Sequence, residues 1–413
     1  MIKNTVISNH LRKGNCVNTR IKRFLPYGRQ TIDQADIDAV IKVFDGDFIT
    51  QGPRINEFER AFSQYVGAKY AVACSNGTAA LHLACQALEL CKGGKLVTST
   101  VTFLSSANCA QFVNADTLFV DIDPDTYCMS TVELENLLKK EKIDVLVPVH
   151  LAGHSADMQA MFDLKEKYGF HIIEDACHAP GGMYNNTKIG SCKYSDMSIF
   201  SFHPVKHITT AEGGMITTND EQLYNKLLRF RTHGMHKDPS LFQNKELAFD
   251  VNGDQNIWYY EMLEVGYNYR ITDIQCALGL SQLSKNDNSV KKRRSIASRY
   301  NTKFRDNPYI TTPKEQSNVK HAYHLYTILI EFEKLGKTRN TVMGELRDLK
   351  IGTQVLYIPV HLQPYYGNKY GYKMGDFPSS EDYYAHCLSI PMFHGLESEE
   401  VEYVIECVNN VIT

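Results

Sequence analysis

The sequence predicts an α/β protein: a large domain with a mostly parallel, seven-stranded sheet flanked by helices, and a small C-terminal α+β domain. Between residues 70 and 220, short apolar runs alternate with helical stretches, which is typical of strands joined by crossover helices. After residue 286 the pattern changes to one long helix followed by short strands and helices. We therefore expect an extension over 1–23, a large domain over 24–285 and a small domain over 286–413.

The expected elements follow the chain in order. The predicted strands of the large sheet are 70–74, 96–99, 117–121, 145–149, 170–174, 197–202 and 214–218. Predicted helices of the large domain are 33–44, 131–140, 157–168, 220–231 and 272–283, with a polar, irregular insert over 236–264. The small domain should contain a helix at 288–305, a strand at 324–330, a helix at 338–349, a strand near 354–358 and a helix at 398–411.

Composition narrows the possible partners. The chain has 413 residues, of which 43% are hydrophobic, so it can bury a large core, and its net charge is −3. This charge gives no electrostatic basis for binding nucleic acid, and no apolar run approaches the ~20 residues of a membrane span. Eleven cysteines, an odd number without paired spacing, suit a reducing compartment better than a disulfide framework. We expect a cytoplasmic protein without nucleic-acid or membrane partners.

The first 23 residues contain several lysines and arginines and no acidic residue. Their low apolar content argues against a secretory signal. The composition is compatible with an organelle transit peptide, but is more typical of a disordered extension or an early start codon. We assign this segment no function.

One lysine, Lys206, lies between two apolar runs, Ser198 to Phe202 and Gly214 to Thr218. A lysine held between two core strands is removed from water, and desolvation lowers its pKa. A neutral amine can attack a carbonyl carbon and form a Schiff base. From this stretch alone, a lysine on a surface hairpin is the alternative.

Two further segments carry the same chemistry. Asp175 follows the apolar run at 170–174, and open α/β sheets bind ligands at the carboxyl ends of such strands. A buried carboxylate there can keep a pyridine nitrogen protonated, whereas the alternative is a helix N-cap. Gly77 and Thr78 follow another predicted strand and open a helix, whose N-terminal N–H groups can bind phosphate. Ordinary helix capping is the alternative there as well.

The motifs SNGTAALHLA, IIEDACHAPGG, FSFHPVKHITTAEGGMITTND and VGYNYRITDIQCALGLSQL occur in this order. This sequence resembles the sugar-nucleotide aminotransferases among the fold-type I pyridoxal 5′-phosphate (PLP) enzymes, from Phe24 to the end of the chain. The likeness is closest to the branch that acts in pseudaminic acid biosynthesis, through EDACH, SFHPVKHITTAEGG and WYYEMLEVGYNYR. The resemblance implies a fold-type I structure, PLP as cofactor, and a homodimer with a shared active site.

The resemblance also implies roles for individual residues. Lys206 would be the catalytic Schiff-base lysine, and Asn268 would reach the cofactor phosphate of the neighbouring subunit. The implied cofactor-binding residues are Gly77, Thr78, Phe103, Asp175, His178, Ser201, Lys206 and Asn268. The implied substrate-binding residues are Tyr27, Asp47, Phe48, Ile49, Thr50, Asn268, Leu356, Tyr357 and Ile358. From the residues alone, Phe103 is as readily a core aromatic, and His178 and Ser201 are as readily satisfied polar groups.

One position departs from the pattern of the resembled family. In the segment QVLYIPVH, Leu356 occupies the place where the usual form has histidine. The departure removes one possible hydrogen bond to the sugar, so it weakens the choice of a particular sugar.

We considered a metal site because His150 and His154 have the spacing of a zinc pair. The surrounding VHLAGH segment is not a helix, and no cysteine cluster accompanies it. We therefore expect no metal.

The implied activity is transfer of an amino group from an amino acid, L-glutamate by resemblance, to C4 of a UDP-linked 4-keto-6-deoxy-N-acetylhexosamine. The two half-reactions should give ping-pong kinetics. One alternative is another nucleotide keto sugar, dTDP- or GDP-linked and aminated at C3 or C4. A more remote alternative is a non-catalytic PLP-binding regulator, which should carry a DNA-binding module that the sequence does not display.

Overall fold

The computed structural model describes residues 21–413. Its strands are β1 (Tyr70–Cys74), β2 (Lys95–Ser99), β3 (Asp116–Val120), β4 (Val145–Val147), β5 (His171–Asp175), β6 (Met183–Tyr184), β7 (Thr187–Lys188), β8 (Met197–Ser201), β9 (Gly214–Thr218), β10 (Met235–His236), β11 (Glu261–Met262), β12 (Ile310–Thr311), β13 (Val319–Lys320), β14 (Tyr326–Ile330) and β15 (Cys387–Ile390).

The helices include long crossover helices and several short ones. They are α1 (Gln34–Ile41), α2 (Pro53–Val66), α3 (Gly77–Ala87), α4 (Ser105–Phe112), α5 (Thr131–Leu138), α6 (Met158–Tyr168), α7 (Glu221–Arg231), α8 (Lys245–Ala248), α9 (Asp273–Phe304), α10 (Phe332–Leu335), α11 (Arg339–Asp348), α12 (Pro364–Tyr370), α13 (Pro378–His386) and α14 (Ser398–Val411). Four 3₁₀ turns lie at Lys42–Asp45, Leu151–Gly153, Pro239–Leu241 and Val360–Leu362.

The central sheet has seven strands in the order β1-β9-β8-β5-β4-β2-β3. Only β9 runs antiparallel to its two neighbours, and the remaining pairs are parallel. The structure confirms the predicted fold class, and each predicted strand of this sheet forms within about two residues of its expected position. Crossover helices place the carboxyl ends of the parallel strands on one edge, where such sheets bind ligands.

Helix α2 packs on the sheet through a cluster of aromatic side chains. The ring of Phe62 lies 4.8 Å from that of Phe200 and 5.6 Å from that of Phe202, in edge-on arrangements. Phe58 lies 5.2 Å from Phe202, and all four rings are fully buried. Because Phe200 and Phe202 flank Ser201, this packing fixes the end of β8, where the loop that contains Lys206 begins.

A separate core forms at the C-terminal end of the chain. It consists of the antiparallel sheet β12-β14-β15, helix α14 and the second half of α9, with Tyr300, Tyr326 and Ile390 fully buried. Leu25 also packs into this core, although the sequence places it in the large domain. The exact domain boundaries remain a prediction.

Three predicted elements differ from the structure, in two regions of the chain. The predicted helices 272–283 and 288–305 form the single helix α9, because buried polar contacts carry the helix through the weak helix formers between them. There, Asn286 donates to the Tyr65 hydroxyl (2.9 Å) and to the carbonyl of Pro180 (3.2 Å). The predicted strand near 354–358 is absent: the segment makes only an isolated bridge between Gln354 and Ser389, and the Leu356 carbonyl accepts from the Tyr383 hydroxyl (2.9 Å).

Most of the predicted N-terminal extension lies outside the described residues. Within the described part, Arg23 donates to Glu400 on α14 (2.6 Å) and to the carbonyl of Gly395 (2.9 Å). Over residues 21–413, no helix combines the length and hydropathy needed to cross a membrane.

The aromatic cluster gives a stability prediction. Replacing Phe62 with alanine removes a fully buried ring, so we expect the free energy of unfolding to fall by about 3–5 kcal/mol. The exposed Val132 on α5 provides a control, since Val132→Ala should change stability by no more than about 0.5 kcal/mol. Urea denaturation followed by circular dichroism measures both. A Phe62→Ala change as small as the control would contradict this role of the cluster.

Candidate active site

A cavity of about 830 Å³ opens at the carboxyl edge of the central sheet. Ten of the residues that the sequence predicts for the site line it together: Tyr27, Gly77, Thr78, Phe103, Asp175, His178, Ser201, Lys206, Leu356 and Tyr357. The topology explains this grouping, because β5 ends at Asp175, β8 ends at Ser201 and α3 begins at Gly77. Strand β9 lies between β1 and β8 and brings these three ends to one place.

Lys206 lies in the loop between β8 and β9. Its backbone N–H donates to the carbonyl of His203 (2.9 Å), which closes a turn, and its side chain lines the cavity. Burial lowers the pKa of the Lys206 ammonium, and the nearby Cys177 and Asp175 offset part of that effect. A lysine with a lowered pKa supplies more of the neutral amine that attacks a carbonyl carbon.

The carboxylate of Asp175 is buried and held on both oxygens. Ser106 donates from its hydroxyl to Oδ2 (2.6 Å), and the backbone N–H of Cys177 donates to Oδ1 (3.2 Å). Ser106 is itself in hydrogen-bond contact with the Thr102 hydroxyl (2.8 Å). The segment after Asp175 forms turns, so this carboxylate does not cap a helix. It is positioned as a fixed negative charge on the cavity wall.

The start of α3 forms an anion-binding turn. Asn76 caps the helix by accepting from the N–H of Ala79 (2.8 Å), which leaves the N–H groups of Gly77 and Thr78 for another acceptor. A Cβ at Gly77 would lie 3.0 Å from Cβ of Ser201, so glycine keeps the space between the helix start and the strand end open. The hydroxyls of Thr78 and Ser201 border the same space.

These groups fit PLP. The turn at Gly77 and Thr78, with the Ser201 hydroxyl, suits its phosphate, and Asp175 suits its pyridine nitrogen. Lys206 suits its aldehyde. All four residues line one cavity, which is the observation on which the fit depends.

His178 and Tyr357 form a hydrogen-bonded pair on the wall of the same cavity. The backbone N–H of Ala152 donates to Nδ1 of His178 (3.3 Å), so the neutral ring carries its proton on Nε2 and donates to the Tyr357 hydroxyl (3.1 Å). Burial, with Lys206 and His207 nearby, keeps the pKa of His178 well below its usual range. Burial also raises the pKa of Tyr357. Both side chains therefore stay uncharged at neutral pH.

Two aromatic residues complete this wall. The ring of Phe103 is 55% exposed and lies 6.1 Å from that of Tyr357, so it faces the cavity rather than the core. Tyr27 lies on the cavity as well, and burial raises the pKa of its hydroxyl.

The remaining predicted residues lie outside the cavity wall of this single chain. They are Asp47, Phe48, Ile49, Thr50, Asn268 and Ile358, and all six are exposed. The loop 47–50 is held to the start of α9, where the N–H of Asp273 donates to the Ile49 carbonyl (3.1 Å) and the Asp273 carboxylate accepts from the N–H of Gly52 (2.7 Å). Their predicted roles stay predictions.

Sequence reasoning missed several residues of the site. Ser106 and Thr102 hold Asp175, and Ala152 sets the tautomer of His178, yet no motif or spacing connects them to those partners. Other unpredicted residues on the wall are Asn76, His82, Ser105, Cys177, Glu212 and Tyr269. All of these except Ser105 lie within the quoted motifs and could have been found by that position.

The histidine pair considered for a metal is engaged in other contacts. His150 accepts from the N–H of Ala156 on Nδ1 (3.1 Å) and pairs with Glu174 through Nε2 (2.9 Å), while His154 Nδ1 contacts the Ser155 carbonyl (2.8 Å). Within residues 21–413, no group of three or more His, Cys, Asp or Glu side chains is placed to hold a metal ion.

Fold and site together define a PLP-dependent aminotransferase of the fold-type I class. The model of the DegT/DnrJ/EryC1/StrS aminotransferase family matches residues 30–409. The chain belongs to this family. It is therefore a sugar aminotransferase that uses PLP.

Curated relatives cover nearly the whole chain. It is 38% identical over 390 residues to the Bacillus subtilis spore coat polysaccharide biosynthesis protein SpsC, covering 94% of this chain and 97% of that protein. It is 35% identical over 389 residues to a UDP-4-amino-4,6-dideoxy-N-acetyl-beta-L-altrosamine transaminase of Campylobacter jejuni, with the same two coverages.

Solved structures agree with these relatives. Helicobacter pylori PseC, described as an aminotransferase involved in the biosynthesis of pseudoaminic acid, superposes with a TM-score of 0.85 at 30% identity, over 94% of this chain and 99% of PseC. A Streptococcus pneumoniae protein in its PLP form superposes with a TM-score of 0.83 at 29% identity, over 94% and 98% of the two chains.

The lowered pKa of Lys206 gives a pH prediction. Because the neutral amine is the reactive form, the cofactor-free protein should bind added PLP faster as pH rises, and the rate should level off below pH ~10.4, the usual lysine value. Stopped-flow absorbance of the lysine-bound cofactor measures this rate. Free PLP with N-acetyl-lysine is the reference reaction, and a protein profile that follows the reference would contradict a desolvated Lys206.

Proposed function

We propose that the chain transfers an amino group from L-glutamate to C4 of a UDP-linked 4-keto-6-deoxy-N-acetylhexosamine, in pseudaminic acid biosynthesis. The observation that carries the chemistry is the grouping of Lys206, Asp175 and the Gly77–Thr78 turn on one cavity. The choice of sugar is supported by the Campylobacter jejuni relative named for a UDP-linked 4-amino-4,6-dideoxy sugar and by the structural match to PseC.

Each residue has a specific task in this proposal. PLP, when bound, supplies an electron sink for the carbanion that forms when the donor loses its α-proton. Lys206 would hold the aldehyde of the cofactor and, once freed by the donor amine, its Nζ would accept the α-proton of the donor and return a proton. Asp175, oriented by Ser106, holds a proton on the pyridine nitrogen. Gly77, Thr78 and Ser201 bind the phosphate and hold the ring in place.

The surrounding side chains keep the proton transfers on Lys206. His178 is a weak base, because its pKa is lowered and its Nδ1 lone pair accepts from the N–H of Ala152, and the Tyr357 hydroxyl stays protonated. Both side chains add hydrogen bonds to the cavity. The rings of Tyr357 and Phe103, whose centroids lie 6.1 Å apart, add apolar surface to the cavity that contains Lys206. A ping-pong sequence of two half-reactions follows, because the amino group is stored between the donor and the sugar.

We also propose a homodimer with a shared active site. Asn268 and the loop 47–50 are exposed on the surface of the large domain. They do not line the cavity of their own chain. In a dimer, these residues would line the active-site cavity of the second copy. A cytoplasmic location is part of the proposal and is supported by buried free thiols such as Cys74, Cys109 and Cys128, which suit a reducing compartment.

A second candidate is amination of another nucleotide keto sugar, dTDP- or GDP-linked and at C3 or C4. Leu356 favours keeping this candidate, because it lines the cavity where the resembled family usually has histidine and cannot donate a side-chain hydrogen bond. The chain is also more similar to the Bacillus subtilis spore coat protein (38% identity) than to the altrosamine transaminase (35%), which supports keeping the second candidate.

Replacing Lys206 with alanine tests the chemistry. We expect loss of the absorbance of the lysine-bound cofactor and a fall in transamination of about 10⁴-fold or more, because both the covalent attachment and the proton carrier are lost. Lys206→Arg should fail equally, since it keeps the charge without a nucleophilic amine. Lys291→Ala, at an exposed position of α9, is the control and should retain full activity. Retained turnover in Lys206→Ala would refute the proposal.

A substrate panel tests the sugar. The purified protein is incubated with glutamate and UDP-, dTDP- or GDP-linked 4-keto and 3-keto sugars, and release of 2-oxoglutarate is measured. We expect turnover of the UDP-linked 4-keto-6-deoxy-N-acetylhexosamine to exceed the others by about tenfold or more, as expected when a buried polar contact is missing from the wrong substrate. Faster turnover of a dTDP- or GDP-linked sugar would establish the second candidate instead.

A further inference from the structure

A second, smaller cavity of about 30 Å³ shares Lys206 with the active-site cavity. We call it the rear cavity. Besides Lys206, its wall contains five basic side chains, a carboxylate and three neutral polar residues: Arg29, His207, Lys285, Arg293, His394, Asp33, Thr31, Gln282 and Ser289. Its volume suits one small group such as a water molecule, a halide ion or a carboxylate.

The positive charges on this wall are not equally balanced. Lys285 pairs with Asp33 (2.5 Å) and with Asp36 (2.8 Å). Arg293, in contrast, is fully buried and donates from Nη1 to backbone carbonyls, those of Tyr323, His324 and Met392. Among residues 21–413, no carboxylate forms an ion pair with Arg293. A buried charge without a counter-charge is unfavourable, so the site favours an anion.

Two buried nitrogen atoms on the wall also have no hydrogen-bond partner within the described chain. Arg293 Nε carries a hydrogen at neutral pH and can only donate, so it requires an acceptor. His207 donates from Nε2 to the carbonyl of Ala322 (2.9 Å), which leaves its Nδ1 unpartnered. Burial keeps the pKa of His207 well below its usual range, so this Nδ1 stays unprotonated and can only accept a hydrogen bond. Arg293 Nε is therefore the donor that lacks an acceptor, which an anion would supply.

An amino-acid donor in the active-site cavity needs a cationic side chain for its carboxylate, in addition to the amine of Lys206. In the part of the chain that the structure describes, that wall contains Lys206 and histidines but no arginine. An α-amino acid carries its carboxylate on the carbon that bears the amine. When the donor amine takes the place of the Lys206 amine, the donor carboxylate must lie within a few ångströms of that position. Arg29 and Arg293 are the arginines on a cavity that shares Lys206.

We propose that the rear cavity is a small-anion site whose ligand is a carboxylate group of the amino-acid donor. The donor assignment rests on the proposed function, whereas the anion site does not. A halide ion has the same chemistry at this site, so the experiment must separate the two sources.

The first test uses the native, PLP-loaded protein. Crystals are soaked in bromide, and anomalous scattering locates the ion, while bromide and formate are tested as inhibitors in solution. We expect a bromide peak within contact of Arg293 and Lys206, and inhibition that is competitive with glutamate but not with the sugar nucleotide. A peak without such competition would mark an adventitious ion only and refute the donor assignment. Ordered water and no bromide would refute the anion site itself.

The second test uses variants. Arg29 is exposed, so Arg29→Gln should fold normally, and we expect the KM for glutamate to rise about tenfold or more, as for a lost charge-assisted hydrogen bond. The rate of the sugar half-reaction, measured from the amino form of the enzyme in a single turnover, should not change. Arg294→Gln is the matched control, because Arg294 pairs with Glu315 away from the rear cavity. Equal effects of both variants would overturn the proposal.

The two proposals fail in different ways. If glutamate releases no 2-oxoglutarate from the PLP-loaded protein, the proposed donor is wrong, and the bromide peak still decides whether the rear cavity binds an anion. If glutamate reacts normally with Arg29→Gln, the proposed function stands and the carboxylate site is wrong.

Discussion

The position of β9 between β1 and β8 is the constraint on which the functional part of the molecule depends. Gly214 begins this strand opposite both Cys74 and Ser201. A Cβ at Gly214 would lie 2.4 Å from the Asn76 carbonyl oxygen, so only glycine permits the close approach of the strand to the turn at the start of α3. The same pairing forces the chain between β8 and β9 to return as a short loop, which holds Lys206 beside the sheet edge.

Electrostatics then distributes protons over the groups that this geometry collects. Desolvation lowers the pKa of Lys206 and of the histidines behind it, His178, His207 and His324. These three histidines therefore surround the amine as neutral hydrogen-bonding groups. The anionic carboxylate of Asp175 is stabilised by hydrogen bonds from Ser106 and from the Cys177 backbone. One base and one fixed negative charge in the same cavity suit a reaction in which a proton moves between neighbouring carbon atoms.

Much of this could be predicted from sequence because the relevant signals are local. The apolar runs that end at Asp175 and Ser201, and the small residues at Gly77 and Thr78, indicate both the strand ends and their chemistry. The residues that orient these groups could not be predicted, since Ser106 reaches Asp175 across 69 positions and Ala152 contacts His178 through its backbone. Helix α9 was divided wrongly because the buried contacts of Asn286 override its weak helix propensity.

The continuity of α9 has a mechanical consequence. The helix has 32 residues, which corresponds to roughly 48 Å at 1.5 Å per residue. Its first residue, Asp273, anchors the loop 47–50, and Arg293 binds carbonyls of the C-terminal core twenty positions later. Because α9 is continuous between these two regions, it has no hinge near residue 285. Any movement of the C-terminal core toward the coenzyme must therefore come from slight bending distributed along α9. The strands around Lys206 would move with the helix.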